Sequence, residues 1–256
     1  MHICFFNKQG EKLSGMIFRP KARGKHPGII ICHGFASSKY TKTRLARNIS
    51  KKGFVVMIFD ASGNGESDGR FEDHTVAKYL EDLRKAVEFL KRQNFVDAKR
   101  IGIAGTSLGG FLSMAYASKY RDVKAIIPVA SPYRGHNGKI GPFSNKNFMA
   151  EWKKNGFALF DVRINSKKVP KKLSYNFFKD YKSFTNTNLI KKIKCPIIVV
   201  HGDADDIVPI NHGFNIMKNA PAQKEMIIVK GAGHSFKGKY ERTLEKILLH
   251  GFRKLL

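Results

Sequence analysis

The sequence predicts an α/β fold in which a mainly parallel sheet is covered by helices on both faces. Short apolar runs rich in β-branched residues alternate with amphipathic segments along the 256-residue chain. This alternation is typical of parallel strands joined by helical crossovers. Polar or glycine-rich loops follow several of the apolar runs directly, which is where open α/β sheets place their functional sites.

The elements follow from the spacing of the apolar residues. The N-terminal segment 1–8 is predicted to pair with a second strand at 12–18 across a turn at Gly10. Further strands are predicted where β-branched runs are short and continuous, at 27–33, 55–60, 100–104, 123–130, 197–200 and 226–230. Helices are predicted where amphipathic or small-residue segments lie between these runs, at 41–52, 76–90, 109–116, 210–219 and 240–255.

The chain carries a formal net charge of +27, from 47 basic and 20 acidic residues. A balance this basic can indicate a nucleic-acid or anionic-surface partner. The basic residues are spread along helix faces and no nucleic-acid-binding module is apparent, so we expect no specific nucleic-acid partner. The charge is interpreted as a solvated surface that attracts anionic ligands in a salt-dependent way.

Several classes of protein are disfavoured by composition. No apolar run approaches the length of a membrane span, and the N-terminus lacks the regions of a signal peptide. Cys4, Cys32 and Cys195 are scattered, with neither a disulfide pattern nor zinc spacing. We therefore expect a cytoplasmic protein with no membrane span, no metal and no organic cofactor.

One pentapeptide predicts a nucleophile. Ser107 lies in the G-x-S-x-G segment 105–109, directly after an apolar run and before a helical pattern. Residues without bulk on both sides allow a sharp strand-to-helix turn that exposes the serine. A serine hydroxyl needs an imidazole to take its proton, and the imidazole needs a carboxylate to orient it.

Two later loops offer those partners, each after a predicted strand. The loop at 201–209 carries three carboxylates, Asp203, Asp205 and Asp206, and the loop at 231–235 presents His234. The chain order is therefore serine, aspartate, histidine. The residues alone leave open which of the three carboxylates would orient the imidazole.

In these motifs the chain resembles the α/β-hydrolase family, whose order of catalytic residues is the same. The resemblance rests on five segments, namely 33–35, 60–69, 105–109, 201–209 and 233–234. The segment from Asp60 to Asp73 is most similar to the branch of cinnamoyl and feruloyl esterases. The resemblance implies an eight-stranded sheet, with residues 1–132 and 191–256 as the core. It also implies that residues 133–190, inserted after strand 6, form a cap.

The family pattern also implies the role of each site residue. Ser107 would be the nucleophile, His234 the general base and then the general acid, and Asp205 the orienting carboxylate. Asp203 would then form a turn and Asp206 would cap a helix. The backbone N–H groups of Leu108 and Phe35 would form the oxyanion hole.

The predicted cap is rich in aromatic residues and lysines, and it interrupts the strand–helix rhythm. Most of its aromatic side chains are expected to form a small core, and a few are expected to face the substrate. We expect Phe35, Trp152 and Phe160 to contact the substrate. Alternating residues at 157–162 predict a short strand, so the cap is expected to contain a hairpin.

The resemblance implies a serine hydrolase that cleaves carboxylic esters of small or medium acyl or aryl groups through an acyl-enzyme. A thioesterase, amidase or peptidase with the same triad is the alternative, and nothing in the sequence separates these substrates. A ligand-binding protein without turnover is a further alternative, although no triad member is missing. The expected partner is a small-molecule ester, and the expected state is a monomer or homodimer.

Overall fold

The structure is a computed structural model. It describes residues 1–133, 140–164, 167–184, 189–220 and 223–256. The strands are β1 His2–Phe6, β2 Lys12–Phe18, β3 His26–Cys32, β4 Val55–Phe59, β5 Val96–Thr106, β6 Ala125–Val129, β7 Phe157–Ile164, β8 Lys167–Ser174, β9 Ile197–Gly202 and β10 Lys224–Val229. The α-helices are α1 Thr43–Ser50, α2 Val76–Lys91, α3 Leu108–Lys119, α4 Lys146–Asn155, α5 Asn176–Ser183, α6 Asn211–Asn219 and α7 Lys239–Leu255.

Eight strands form one sheet in the order β1-β2-β4-β3-β5-β6-β9-β10. Strand β2 runs antiparallel to both of its neighbours, β1 and β4, and the other neighbouring strands pair in parallel. The prediction of a mainly parallel eight-stranded sheet is therefore confirmed. The predicted pairing of the first two strands across the turn at Gly10 is also present, with His2 opposite Met16.

Successive residues of the central strands point to opposite faces, which fixes where the helices pack. In β3, Ile30 belongs to the cluster that includes residues of α2 and α3. Its neighbours Ile29 and Ile31 belong to the cluster that includes residues of α1 and α7. A strand buried on both faces needs apolar residues at every position, which explains the continuous runs in the sequence.

Between β6 and β9, the described residues form α4, the antiparallel hairpin β7–β8, and α5. The hairpin expected near 157–162 is therefore present. The aromatic side chains of these elements join the same apolar cluster as α2 and α3, so the segment packs on that face of the sheet. Its assignment as a separate cap subdomain at 133–190 stays a prediction.

Among the helices that the structure describes, none is both long and apolar enough to cross a membrane.

Candidate active site

Ser107 sits between the end of β5 and the start of α3 in a backbone conformation that side chains rarely adopt. Its φ and ψ angles are 57° and −119°. The turn is fixed on both sides, because the Ser107 N–H donates to the Val129 carbonyl at 2.9 Å and the Ser107 carbonyl accepts from Phe111 N–H at 3.0 Å. Such strain persists only where the surrounding structure enforces it, and it is frequent at active sites.

Gly105 and Gly109 make this turn possible because backbone segments approach each other closely at both positions. A β-carbon on Gly105 would lie 2.3 Å from the carbonyl carbon of Gly109. A β-carbon on Gly109 would lie 2.6 Å from the carbonyl oxygens of Cys32 and His33. The glycines of the G-x-S-x-G segment are therefore required by packing between backbones.

The structure brings Asp205 and His234 together across two loops. His234 Nδ1 lies 2.9 Å from Asp205 Oδ2 and 3.1 Å from Oδ1. An ionised carboxylate can only accept, so Nδ1 carries the proton in this pair. In the neutral ring, Nε2 is then the free acceptor, which is the tautomer that a general base requires.

Asp205 is a buried carboxylate with a full set of donors. Its Oδ1 accepts from the N–H groups of Ile207 and Val208 at 3.0 and 2.8 Å. Burial acts to raise its pKa, but hydrogen bonds from His201 and His234 outweigh burial and hold the pKa well below its usual range. Asp205 therefore stays ionised and fixed in position.

The other two carboxylates of this loop lie elsewhere. Asp203 Oδ1 accepts from Gly231 N–H at 2.6 Å and so supports the loop that presents His234. Asp206 is exposed. The prediction that Asp206 caps a helix is wrong, because α6 begins only at Asn211, with Ile210 preceding it as the capping residue.

Ser107 and His234 line one cavity of about 610 Å³. Among the described residues, the hydrogen bonds of the His234 ring run to Asp205, and none joins it to Ser107. Catalytic hydrogen bonds of this kind are often long until substrate binds. Phe35 and Leu108 line the same cavity. Asp205 does not line it but contacts His234, so the predicted catalytic and oxyanion residues lie together at one end of the sheet.

The loop after β3 approaches Ser107 closely. A β-carbon on Gly34 would lie 3.6 Å from the Ser107 β-carbon. Within the described residues, the N–H groups of Phe35 and Leu108 have no acceptor in the protein. Two unused amides beside a half-buried serine that lines the cavity suit the role of donors in an oxyanion hole.

His33 and Asp60 hold this loop in place from below. His33 is buried, Ala61 N–H donates to its Nε2 at 3.2 Å, and its Nδ1 lies 2.8 Å from the Gly34 carbonyl. Asp60 accepts from both the backbone N–H and the ammonium of Lys39, at 2.6 and 2.5 Å. Both side chains of that ion pair are fully buried. These contacts shape the loop without reaching the cavity.

Two of the three residues expected to contact substrate do not line the cavity. Trp152 is 1% exposed, and its Nε1–H donates to the Leu173 carbonyl at 3.0 Å. Phe160 is buried and packs edge-on against Phe35 at a centroid distance of 5.2 Å. The expectation for Trp152 and Phe160 is therefore wrong, because both belong to the aromatic core behind the cavity wall.

Other side chains supply the wall, and sequence reasoning did not identify them. Phe143, Phe177 and Tyr181 line the cavity together with Phe35, whose contact with substrate stays a prediction. Phe177 and Tyr181 are four residues apart on α5, so the sequence places them on one helical face. It does not show whether that face meets the cavity or the cap interior. Lys42, which also lines the cavity, is missed altogether.

In the described part of the chain, no group of three or more histidine, cysteine, aspartate or glutamate side chains could hold a metal ion.

Comparison with known proteins identifies the family of the chain. Residues 41–254 match the prolyl oligopeptidase family. The chain is 27% identical over 230 residues to the mitochondrial palmitoyl-protein thioesterase ABHD10 of Bos taurus, covering 88% of this chain and 72% of that protein. It is 32% identical over 129 residues to the thiohydrolase aneE of Aspergillus aculeatus, covering 50% of this chain and 40% of that one.

Among solved structures, the ferulic acid complex of Est1E from Butyrivibrio proteoclasticus has the same fold. The TM-score is 0.81 at 24% sequence identity, and the alignment covers 100% of this chain and 98% of Est1E. Together with the sheet order and the family match, this similarity confirms the fold expected from the sequence motifs. The chain therefore belongs to the prolyl oligopeptidase family and is an α/β-hydrolase.

Proposed function

We propose that this protein is a serine hydrolase that cleaves carboxylic esters of small or medium acyl or aryl groups. The observation that carries the proposal is the meeting of three features in one cavity. These are a strained Ser107 that lines the cavity, a His234 ring whose Nδ1 is fixed by Asp205, and two free backbone amides.

The residues suit acyl transfer in two steps. Ser107 Oγ attacks the ester carbonyl while its proton passes to His234 Nε2. The Phe35 and Leu108 amides bind the oxyanion, and His234 then protonates the departing alcohol as the C–O bond breaks. Water, deprotonated by the same nitrogen, attacks the acyl-enzyme and releases the acid and free Ser107. Asp205 stays ionised throughout and stabilises the imidazolium.

The cavity walls support an acyl group of modest size. Apolar side chains form one side of the cavity, namely Ile140, Pro142, Phe143, Phe177, Tyr181 and Ile207. A volume of about 610 Å³ falls within the range of ordinary small-molecule sites. A pocket of this kind binds short aliphatic or single-ring acyl groups through apolar contact.

Thioester cleavage is the second candidate, and the relatives favour it. The mitochondrial ABHD10 protein is named a palmitoyl-protein thioesterase, and aneE is named a thiohydrolase. The proposed steps are the same, except that the leaving group is a thiolate. A thiolate is a better leaving group than an alkoxide, so it depends less on a proton from His234. The cavity geometry does not distinguish an oxygen leaving atom from a sulfur one.

A matched pair of substrates tests both candidates. We expect turnover of p-nitrophenyl butyrate, and a decline as the acyl chain is lengthened beyond the cavity. The same assays on butyryl thioesters, followed by thiol release, give the ratio of kcat/KM for thioester against ester. A ratio far above one would assign the protein to thioester hydrolysis. Absence of turnover with both substrate types would contradict the proposed function.

A further inference from the structure

Lys42 brings a cation into the cavity beside the proposed nucleophile. Its side chain is partly buried, and its ammonium donates to Thr106 Oγ1 at 3.0 Å. Thr106 is the residue immediately before Ser107, and all three residues line the same cavity. The ammonium is therefore held by the residue that precedes the proposed nucleophile, in the same cavity.

No carboxylate neutralises this ammonium. All 20 acidic residues of the chain lie within the described ranges, since the remaining segments contain neither aspartate nor glutamate. None of these carboxylates lies within 4.0 Å of Lys42 Nζ among the described ion pairs. Lys39, three residues earlier, is by contrast paired with both Asp60 and Glu66. Burial without a compensating anion lowers the pKa of Lys42 to about 8.

The other charged side chains that line the cavity are also mainly basic. Of the residues that the structure describes, four basic side chains line it, Lys42, Arg163, Lys168 and Lys237, against the two acidic side chains of Asp161 and Glu241. The two acids are already paired, Asp161 with Lys168 at 3.8 Å and Glu241 with Arg44, which lies outside this cavity. The uncompensated positive charge therefore faces the space that a substrate would fill.

We propose that Lys42 binds an anionic group of the substrate, a carboxylate or phosphate carried a few bonds from the scissile carbonyl. The ammonium has already lost part of its water when the protein folds. Binding an anion therefore costs little further desolvation of the ammonium, so the ion pair is more favourable than one formed with a fully hydrated cation. The Thr106 hydroxyl fixes one N–H of the ammonium and leaves two for the ligand. The proposal rests on the proposed hydrolase function and specifies the charge of its substrate.

The test compares a charged ester with its neutral counterpart of matched length. The first pair places the charge on the acyl group, in mono-p-nitrophenyl adipate against p-nitrophenyl hexanoate. The second pair places it on the leaving group, in p-carboxyphenyl hexanoate against p-carbamoylphenyl hexanoate. For each pair, the ratio of kcat/KM for the charged against the neutral ester measures the preference, after subtraction of spontaneous hydrolysis.

In at least one pair, wild type should prefer the charged ester, and Lys42→Met should lower that ratio by about tenfold or more, as expected for a charge-assisted hydrogen bond. Lys42→Arg should retain part of the preference. Lys8→Met is the matched control, because Lys8 is exposed in the turn of the first hairpin and its loss changes the net charge equally. It should leave the ratio unchanged.

The pH dependence of the wild-type ratio is a second readout that needs no variant. Lys42 is charged below its lowered pKa of about 8, so the preference should be full at pH 7 and lost as the pH rises through 8 to 9. Other titratable or charged side chains line the same cavity, namely Asp161, Arg163, Lys168, His234, Lys237 and Glu241, whereas His33, Lys39 and Arg44 lie outside it. The ratio divides out any effect of pH that is common to both esters.

Two outcomes would overturn the proposal while leaving the hydrolase function intact. One is equal use of charged and neutral esters in both pairs. The other is a preference that Lys42→Met and a rise to pH 9 both leave unchanged, which would place the anion on Arg163 or Lys237. Failure to hydrolyse even the neutral esters would instead contradict the proposed function on which the inference rests.

Discussion

Replacing Ser107 with alanine should lower kcat for p-nitrophenyl butyrate by about 10⁶-fold, as in serine hydrolases that lose their nucleophile. The Ser107 hydroxyl lies between β5 and α3 and is the group proposed to form the acyl-enzyme. Labelling of the protein by a fluorophosphonate probe should disappear in the same variant. Persistent labelling, located elsewhere by peptide mass spectrometry, would show that another residue is the nucleophile.

A glycine variant separates the chemical role of Ser107 from its structural cost. With φ at 57°, a side chain at this position is strained, and glycine is not. Ser107→Gly should therefore be as inactive as Ser107→Ala but more stable by about 1 kcal/mol in urea unfolding. Equal stability of the two variants would mean that the turn relaxes when the hydroxyl is removed.

Replacing Asp205 with asparagine should lower kcat by about 10⁴-fold, the size of effect seen when a triad carboxylate is removed. An amide in place of the carboxylate no longer forces the proton onto His234 Nδ1, and it does not stabilise the imidazolium. The Ile207 and Val208 amides still find an oxygen acceptor, so the loop should fold. Steady-state kinetics with circular dichroism on the same samples would separate loss of chemistry from loss of structure.

Asp206→Asn is the matched control for Asp205→Asn. It makes the same substitution one residue away, on an exposed side chain, and should leave kcat within about twofold. Asp203 is a poorer control, because its carboxylate holds Gly231 in the loop that carries His234. A large loss in Asp206→Asn without one in Asp205→Asn would overturn the assignment of the orienting carboxylate.

The sheet was predictable because each of its parts depends on a short-range pattern. Strands such as β4 and β9 are buried on both faces, and this leaves continuous β-branched runs in the sequence. Parallel strands end at the same edge, so the polar loops that follow β5, β9 and β10 were expected to meet. Ser107, Asp205 and His234 lie on those loops. The structure places Ser107 and His234 in one cavity, with Asp205 hydrogen-bonded to His234.

Residues whose role depends on long-range packing were not predictable in this way. Trp152 and Phe160 are large aromatic residues in the predicted cap, which suits a pocket wall and a cap core equally well. Three-dimensional packing places them in the core, with Phe143 and Phe177 in front. Lys42 is one of many lysines in the sequence, and its contact with Thr106 spans 64 residues.

The two glycines of the turn have a consequence that reaches beyond catalysis. Because backbone atoms exclude a β-carbon at 105 and at 109, a library randomised over 105–109 and sorted only for folding should still return glycine at both positions. Serine would be lost at position 107 in the same experiment, and glycine would be favoured there by the positive φ. A related chain that lost catalytic activity would thus keep both glycines of the pentapeptide. The glycine pair therefore indicates the fold, and only the serine between them indicates the reaction.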